Sequence, residues 1–299
     1  MDTGVLHWLL EKDNPGVRAR TLTGLCGLPD DDPQVMAARA LAARTLDMAR
    51  DLGWMEQKGL ALVKGVTALA EWGLTRQHVP IDPAADRLLA QPYDANCADM
   101  MALRALVMLG YGTDARVQSR LEQAAGTQLP DGGWLCLHRL NKMRRVPKSC
   151  YKAAMHALLL AGELRKCGLS LAGSDELIQY FLRRRLFYRT GDPTRLVLDC
   201  RPGWRTIDVF FPIELMRVGF PLLLDALAAL GVGQAPELQE AWDLLGQKRD
   251  AQGRILLEGT LGKSYLPKER VGRPNKWATL YAYLAWTGRD VAPASGLRR

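Results

Sequence analysis

Apolar residues recur at helical spacing through residues 60–74, 98–109, 115–126, 151–165, 175–187, 213–230, 236–248 and 275–287. Such a period places one apolar stripe on each segment and predicts amphipathic helices. Alternating apolar and polar runs, the mark of half-buried strands, are scarce. Gly and Pro fall mainly between the segments, where they end helices. The pattern predicts an all-α chain.

The helices come in a repeating unit. Shifting the chain by 121 residues lays Ala105 on Ala226, Leu106 on Leu227, Leu109 on Leu230 and Gln118 on Gln239. Gly110 and Gly112 fall on Gly231 and Gly233, and Gly132 falls on Gly253. The shared unit is a helix, a G-x-G corner, a second helix and a glycine-containing turn. Glycine at the first corner suits a helix end that needs a left-handed residue. Weaker copies in 27–54, 59–74, 149–164 and 275–286 bring the total to about five or six helical hairpins. Units of this kind bury their apolar faces on one another. The expected organisation is one domain over residues 1–290 with a flexible tail at 291–299.

The best-formed turn reads Gln128-Leu129-Pro130-Asp131-Gly132-Gly133-Trp134. It resembles the Q-x-x-D-G-G-W repeat of the squalene cyclase and protein prenyltransferase superfamily. The resemblance covers 97–136 and its echo at 218–257, where Ile255 stands in place of the tryptophan. It implies a single α/α-toroid, with inner helices around a cavity and outer helices around them, and a turn tryptophan acting as an inter-repeat clamp. It also implies an enzyme that transforms a largely apolar isoprenoid, lipid or peptide-derived substrate by transferase or cyclase chemistry. The cyclases' D-x-D-D acid motif is missing. Asp30-Asp31-Asp32 precedes Pro33 and reads as a helix-capping corner. No D-D-x-x-D magnesium motif is present, and the length fits a single toroid like a prenyltransferase β-subunit. Those subunits hold a zinc with Asp, Cys and His near the starts of inner helices and use it to activate a thiol.

Cysteine placement raises the same question independently. Cys97 and Cys150 each follow a small polar residue and open a predicted inner helix, where the helix dipole favours a thiolate. Cys136 and His138 follow the Gly-Gly-Trp turn, on the connector returning toward that end of the ring. Cys97, Cys136, His138 and Cys150 form a candidate zinc set, since thiolate and imidazole ligands suit that metal. Buried thiols in an apolar core explain the same residues. Both readings stand at this point.

Two connectors interrupt the helical pattern. The first, after Arg183, Arg184 and Arg185, contains Asp199, Arg201, Trp204, Arg205 and Asp208; the second, 258–277, contains Lys263, Lys268 and Arg270. Long connectors in compact helical domains are often functional. Arg201, Trp204, Arg205, Lys263, Lys268 and Arg270 are candidates for binding a substrate or anion. Asp199, Asp208 and Asp99, the last lying beside Cys97, are candidate catalytic carboxylates.

Charge widens the field. The 299 residues carry 40 Lys+Arg against 32 Asp+Glu, a formal net charge of +8, which favours anionic partners. A basic helical repeat that binds or processes nucleic acid is therefore an alternative, though no interleaved aromatic stacking motif supports it. A zinc-stabilised, non-catalytic scaffold is another. The N-terminal stretch lacks a basic start followed by an apolar core, and no run has the length a bilayer needs. The expected protein has no membrane span and is cytoplasmic.

Overall fold

The computed structural model describes residues 2–142, 144 and 147–290; the predicted tail at 291–299 lies outside them. The chain is all-α apart from a small hairpin of β1 (Tyr188–Arg189) and β2 (Asp192–Leu196). Six helices form an inner ring: α2 (Pro15–Gly24), α5 (Leu60–Glu71), α7 (Cys97–Leu106), α10 (Tyr151–Lys166), α12 (Phe220–Ala229) and α14 (Lys276–Arg289). From α5 onward each packs on the next in that order, and α14 packs on α2. Between α2 and α5 the ring closes where a Cβ on Gly16 would stand only 2.9 Å from the Trp72 carbonyl oxygen.

The outer layer comprises α3 (Pro33–Thr45), α6 (Asp82–Leu89), α8 (Ala115–Gly126), α11 (Ser174–Leu182) and α13 (Gln239–Gln247). They follow α2, α5, α7, α10 and α12 respectively. The N-terminal α1 (Thr3–Leu9) packs on α14, so the first helix of the chain serves the last hairpin. The architecture is an α/α-toroid of six hairpins. Short helices α4 (Asp47–Arg50) and α9 (Leu137–Leu140) lie in connectors. Burial follows the layers: α10 is buried nearly all round, whereas α8 buries only Val117, Leu121 and Ala124.

The Gln128–Trp134 turn does what its sequence implies. Trp134 is fully buried, and its Nε1 donates to the Ala124 carbonyl at 2.7 Å. Gln128 Nε2 donates to the carbonyls of Gly132 and Gly173 at 3.0 and 2.8 Å, tying the turn to the next unit. Gly132 has φ +90°, and a Cβ there would lie 2.1 Å from the Glu176 carbonyl oxygen. No other residue fits.

All inner helices run in the same direction. The N-terminal Lys276 of α14 reaches Asp13 before α2, while Leu284 meets Gly24 at the end of α2. Gly162 of α10 meets Ala226 of α12, and His156, one and a half turns earlier, meets Leu215 ahead of α12. One mouth of the ring therefore gathers helix N-termini and the other gathers C-termini.

A charged layer crosses the ring between the mouths, with a contribution from every inner helix. Arg104 of α7 pairs with Glu71 of α5 and reaches Glu163 of α10 at 3.3 Å. Glu71 also takes Arg20 of α2 at 3.3 Å and the Tyr281 hydroxyl of α14. Lys166 of α10 closes the chain with Asp225 of α12 at 2.5 Å and Glu163 at 3.6 Å. Three cations face three carboxylates, so the layer is neutral. Burying these charges is tolerable because each is paired. Among the described residues no helix is long and apolar enough to cross a membrane.

Candidate functional site

The N-terminal mouth carries a chamber of about 400 Å³. Leu60, Ala61, Lys64, Thr67 and Ala68 of α5 and Met101 of α7 form one wall, and Glu71 of the charged layer lies at its floor. Two connectors cover it, contributing Pro212, Ile213 and Glu214 from one and Leu261, Lys263, Tyr265 and Leu266 from the other. The lining is chiefly apolar, with Lys64, Lys263 and Glu214 supplying charge. Where the connectors cross, a Cβ on Gly259 would lie 1.8 Å from the Gly203 carbonyl oxygen. The crossing is fixed by Glu258, which accepts from the Val209 N–H at 2.8 Å and from Lys248 at 2.6 Å.

Beside this chamber, on the same mouth, lies the thiol cluster. Cys97 is the first residue of α7, and Asn96 caps the helix, its side chain accepting from Ala98 and Asp99 N–H groups at 2.7 and 3.0 Å. Cys150 precedes α10, held by a bond from its N–H to the Trp134 carbonyl at 2.7 Å. The Cys97 and Cys150 thiols face each other closely enough to shift each other's ionisation, with Cys136 alongside. The interaction with Cys97 lowers the Cys150 pKa, assisted by the Ala153 and Lys152 N–H groups of the helix start, and raises that of Cys97. Cys97 and Met101 are one helical turn apart on one face of α7, so the cluster adjoins the chamber wall.

His138 turns toward a partner that the sequence reading overlooked. Its Nδ1 is 2.5 Å from Asp94 Oδ2, and its N–H donates to Asp94 Oδ1 at 2.8 Å. Ligand atoms of Asp94, Cys136 and His138 all lie within 4.8 Å of one another. Asp94 sits three residues before Cys97, on the connector that enters α7, and that proximity was the available signal. The four predicted residues thus divide into the Asp94–Cys136–His138 group and the Cys97–Cys150 pair, with Cys136 between them. An oxygen, a sulfur and a nitrogen within that span suit a zinc ion bound by three protein ligands, which leaves a position open.

The remaining candidates are dispersed. Asp99 completes the α7 cap, its Oδ2 accepting from Asp94 and Asn96 N–H groups at 2.9 and 3.2 Å. Burial raises its pKa. Asp208 is buried and accepts from Arg205 Nη2 at 2.9 Å, while Asp199 is exposed. Arg201 stacks over Trp204 at 4.8 Å, and Trp204 packs edge-on to Phe210. Neither Asp199, Asp208, Arg201, Trp204 nor Arg205 lines the chamber. Lys263 lines it; Lys268 and Arg270 are exposed on the covering connector.

The C-terminal mouth holds a second cavity, of about 570 Å³, lined by Arg20, Arg39 and Lys166 with Asp30, Glu163 and Asp225. These charges pair with one another or within the layer, which leaves that cavity polar but electrically balanced.

No family model and no curated protein matches this chain. Among solved structures it is similar to a glycosyl hydrolase of family 88 from Bacteroides vulgatus. The two share 13% identity over 95% of this chain and 97% of that chain, with a TM-score of 0.48. So low a score carries no weight for chemistry.

Proposed function

We propose that the protein is a toroid enzyme that takes a largely apolar substrate, of isoprenoid or other lipid-like character, into the N-terminal chamber. The observation that carries this reading is the apolar chamber with Lys64 and Lys263 at its rim and a thiol cluster one helical turn away along α7. Apolar walls favour a hydrocarbon body through burial. The two lysines and the converging helix N-termini favour an anionic end.

Asp94, Cys136 and His138 would hold zinc, with Cys97 and Cys150 adjoining. When bound, such an ion supplies a Lewis acid and a lowered pKa for a coordinated thiol or water. The chain's own residues bind and orient: the α5 wall grips the apolar body, Lys263 positions the charged end, and the crossed connectors exclude water. Glu71, fixed by two arginines and a tyrosine, closes the floor and keeps the substrate from passing into the second cavity.

Two measurements test this. Elemental analysis of purified protein is expected to give zinc that is lost in Asp94→Ala and in Cys136→Ser. A fluorescent prenyl diphosphate is expected to bind the wild type and to bind Ala61→Trp, which narrows the chamber, about tenfold more weakly. Zinc content unchanged in both variants removes the metal, and probe binding unchanged in Ala61→Trp removes the chamber.

A further inference from the structure

A run of positive charge without carboxylates marks one mouth of the ring. Residues 137–152 hold six Lys/Arg and no Asp or Glu, against a net charge of +8 for the whole chain. This segment joins the Gly-Gly-Trp turn to the start of α10, and the Leu137 N–H bonds to the Asp94 carbonyl just ahead of α7. Its described residues therefore lie on the N-terminal mouth. Arg139, Lys142, Arg144 and Lys148 are exposed there, as are Lys268 and Arg270 on the connector entering α14. Among the described residues none of these six forms an ion pair, as is also true of the exposed Arg183, Arg185, Arg189 and Arg195 beyond α11, whereas Arg76, Arg87 and Arg116 are paired with carboxylates.

Exposed apolar side chains accompany them. Among the described residues four large hydrophobic side chains are exposed: Met36 at 54%, Leu60 at 38%, Met216 at 42% and Val271 at 54%. Leu60 is the first residue of α5, Met216 lies just ahead of α12, and Val271 lies just ahead of α14. Three of the four thus sit at the N-terminal mouth among the unpaired cations, around the opening of the chamber.

We propose that the N-terminal mouth docks on an anionic lipid surface. Unpaired lysines and arginines interspersed with protruding apolar side chains match negatively charged headgroups over a hydrocarbon layer. A nucleic acid would use the cations and gain nothing from Val271 or Met216. The docking rests on this surface chemistry alone; its use, delivery of an apolar substrate from the bilayer to the chamber, rests on the function proposed above.

The test is co-sedimentation of the full chain with phosphatidylcholine vesicles with and without about one-third phosphatidylserine. Binding is expected only with phosphatidylserine and is expected to weaken as salt is raised, because exposed charges are screened. Each basic residue near the surface contributes about fivefold, so Lys142→Glu/Arg144→Glu is expected to weaken binding about thirtyfold or more. Both residues are exposed and form no ion pair among the described residues, and a circular-dichroism melt checks that the variant folds. Val271→Asp, on a separate connector, is expected to weaken vesicle binding as well. Equal binding to neutral vesicles, or no binding to either, overturns the proposal. So does duplex DNA binding that falls in the charge-reversal variant but not in Val271→Asp, alongside vesicle binding that neither variant alters. Zinc content and prenyl-probe binding are read without vesicles, so failure here is distinct from failure there.

Discussion

Replacing Arg104 with methionine probes how far the charged layer holds the ring together. The side chain is 1% exposed and joins Glu71 on one side to Glu163 on the other. Methionine keeps an unbranched, adaptable stem, so the change is mainly electrostatic. Without the guanidinium, Glu71 retains Arg20 at 3.3 Å and the Tyr281 hydroxyl. Glu163 keeps Lys166 at 3.6 Å, a lysine already committed to Asp225 at 2.5 Å. Three buried carboxylates then share two cations. Removing one partner of a buried pair costs about 3–5 kcal/mol, because a charge is left uncompensated. The pH dependence identifies the cause. Burial pushes the Glu163 carboxyl up, but Lys166, Arg104 and Arg20 outweigh it and hold the pKa at about 2, below the ordinary 4.5. A carboxyl lowered by folding contributes stability above its unfolded value, and that stability is lost as pH falls through the folded value. For Glu163 the contribution is about 3 kcal/mol at neutral pH, and it disappears between about pH 4.5 and about pH 2. Arg104→Met weakens the hold on Glu163, so less remains to be lost in acid. Urea denaturation from about pH 7 down to about pH 2.5 is expected to show a large penalty that narrows on acidification, at unchanged m-value. Adding Glu163→Gln, which removes the leftover charge, is expected to recover about 1 kcal/mol or more. A neutral-pH penalty below about 1 kcal/mol, or one that does not change with pH, refutes the electrostatic account.

Three further outcomes follow from the packing. Trp134→Ala removes a fully buried indole and its bond to the Ala124 carbonyl, and is expected to cost about 4 kcal/mol in chemical denaturation. Gly132→Ala forces a Cβ to 2.1 Å from a backbone oxygen at φ +90°, and is expected to cost about 2 kcal/mol or more, or to prevent folding. Lys276→Met differs from Arg104→Met, because its partners Glu11 and Asp13 have side chains 55% and 65% exposed. Those carboxylates stay solvated when the lysine goes, so a loss of about 1 kcal/mol or less is expected from the same denaturation assay.

The hairpin architecture was legible because the outer helices obey simple periodicity. The predicted segment 115–126 is α8 to the residue, and Asp114 caps it, accepting from the Arg116 N–H at 2.8 Å. The predicted segment 213–230 begins too early. Ile213 and Val218 are buried ahead of α12 as parts of a covering connector, and a buried apolar connector mimics a helix in sequence. The helix starts at Phe220, where Pro221 suits the first turn. Similarly, 175–187 extends past Leu182 because Arg185 and Leu186, with φ of +42° and +72°, turn apolar sequence into a compact bend. Cys97 and Cys150 were legible as helix openers, while Asp94, a lone aspartate on a connector, offered only its nearness to Cys97. The charged layer had no linear signature at all. Arg20, Glu71, Arg104, Glu163, Asp225 and Tyr281 are isolated polar positions until the ring brings them level.

That layer also explains why the two mouths differ in chemistry. A ring of parallel helices is polar along its axis, with partial positive charge at the N-terminal mouth and partial negative charge at the other. At the C-terminal mouth the six cavity charges cancel, and Arg165, Lys166 and Arg289 in the last turns of α10 and α14 offset the negative helix ends. At the N-terminal mouth, unpaired lysines and arginines reinforce the helix ends instead of neutralising them. Reinforcement of this kind costs stability through like-charge repulsion, and a structural role would not demand it. The apolar chamber opens on the reinforced side, and Glu71 closes its floor against the balanced cavity. Charge and apolar space therefore coincide at the N-terminal mouth, the arrangement that the substrate proposed above, with a hydrocarbon body and an anionic end, would need.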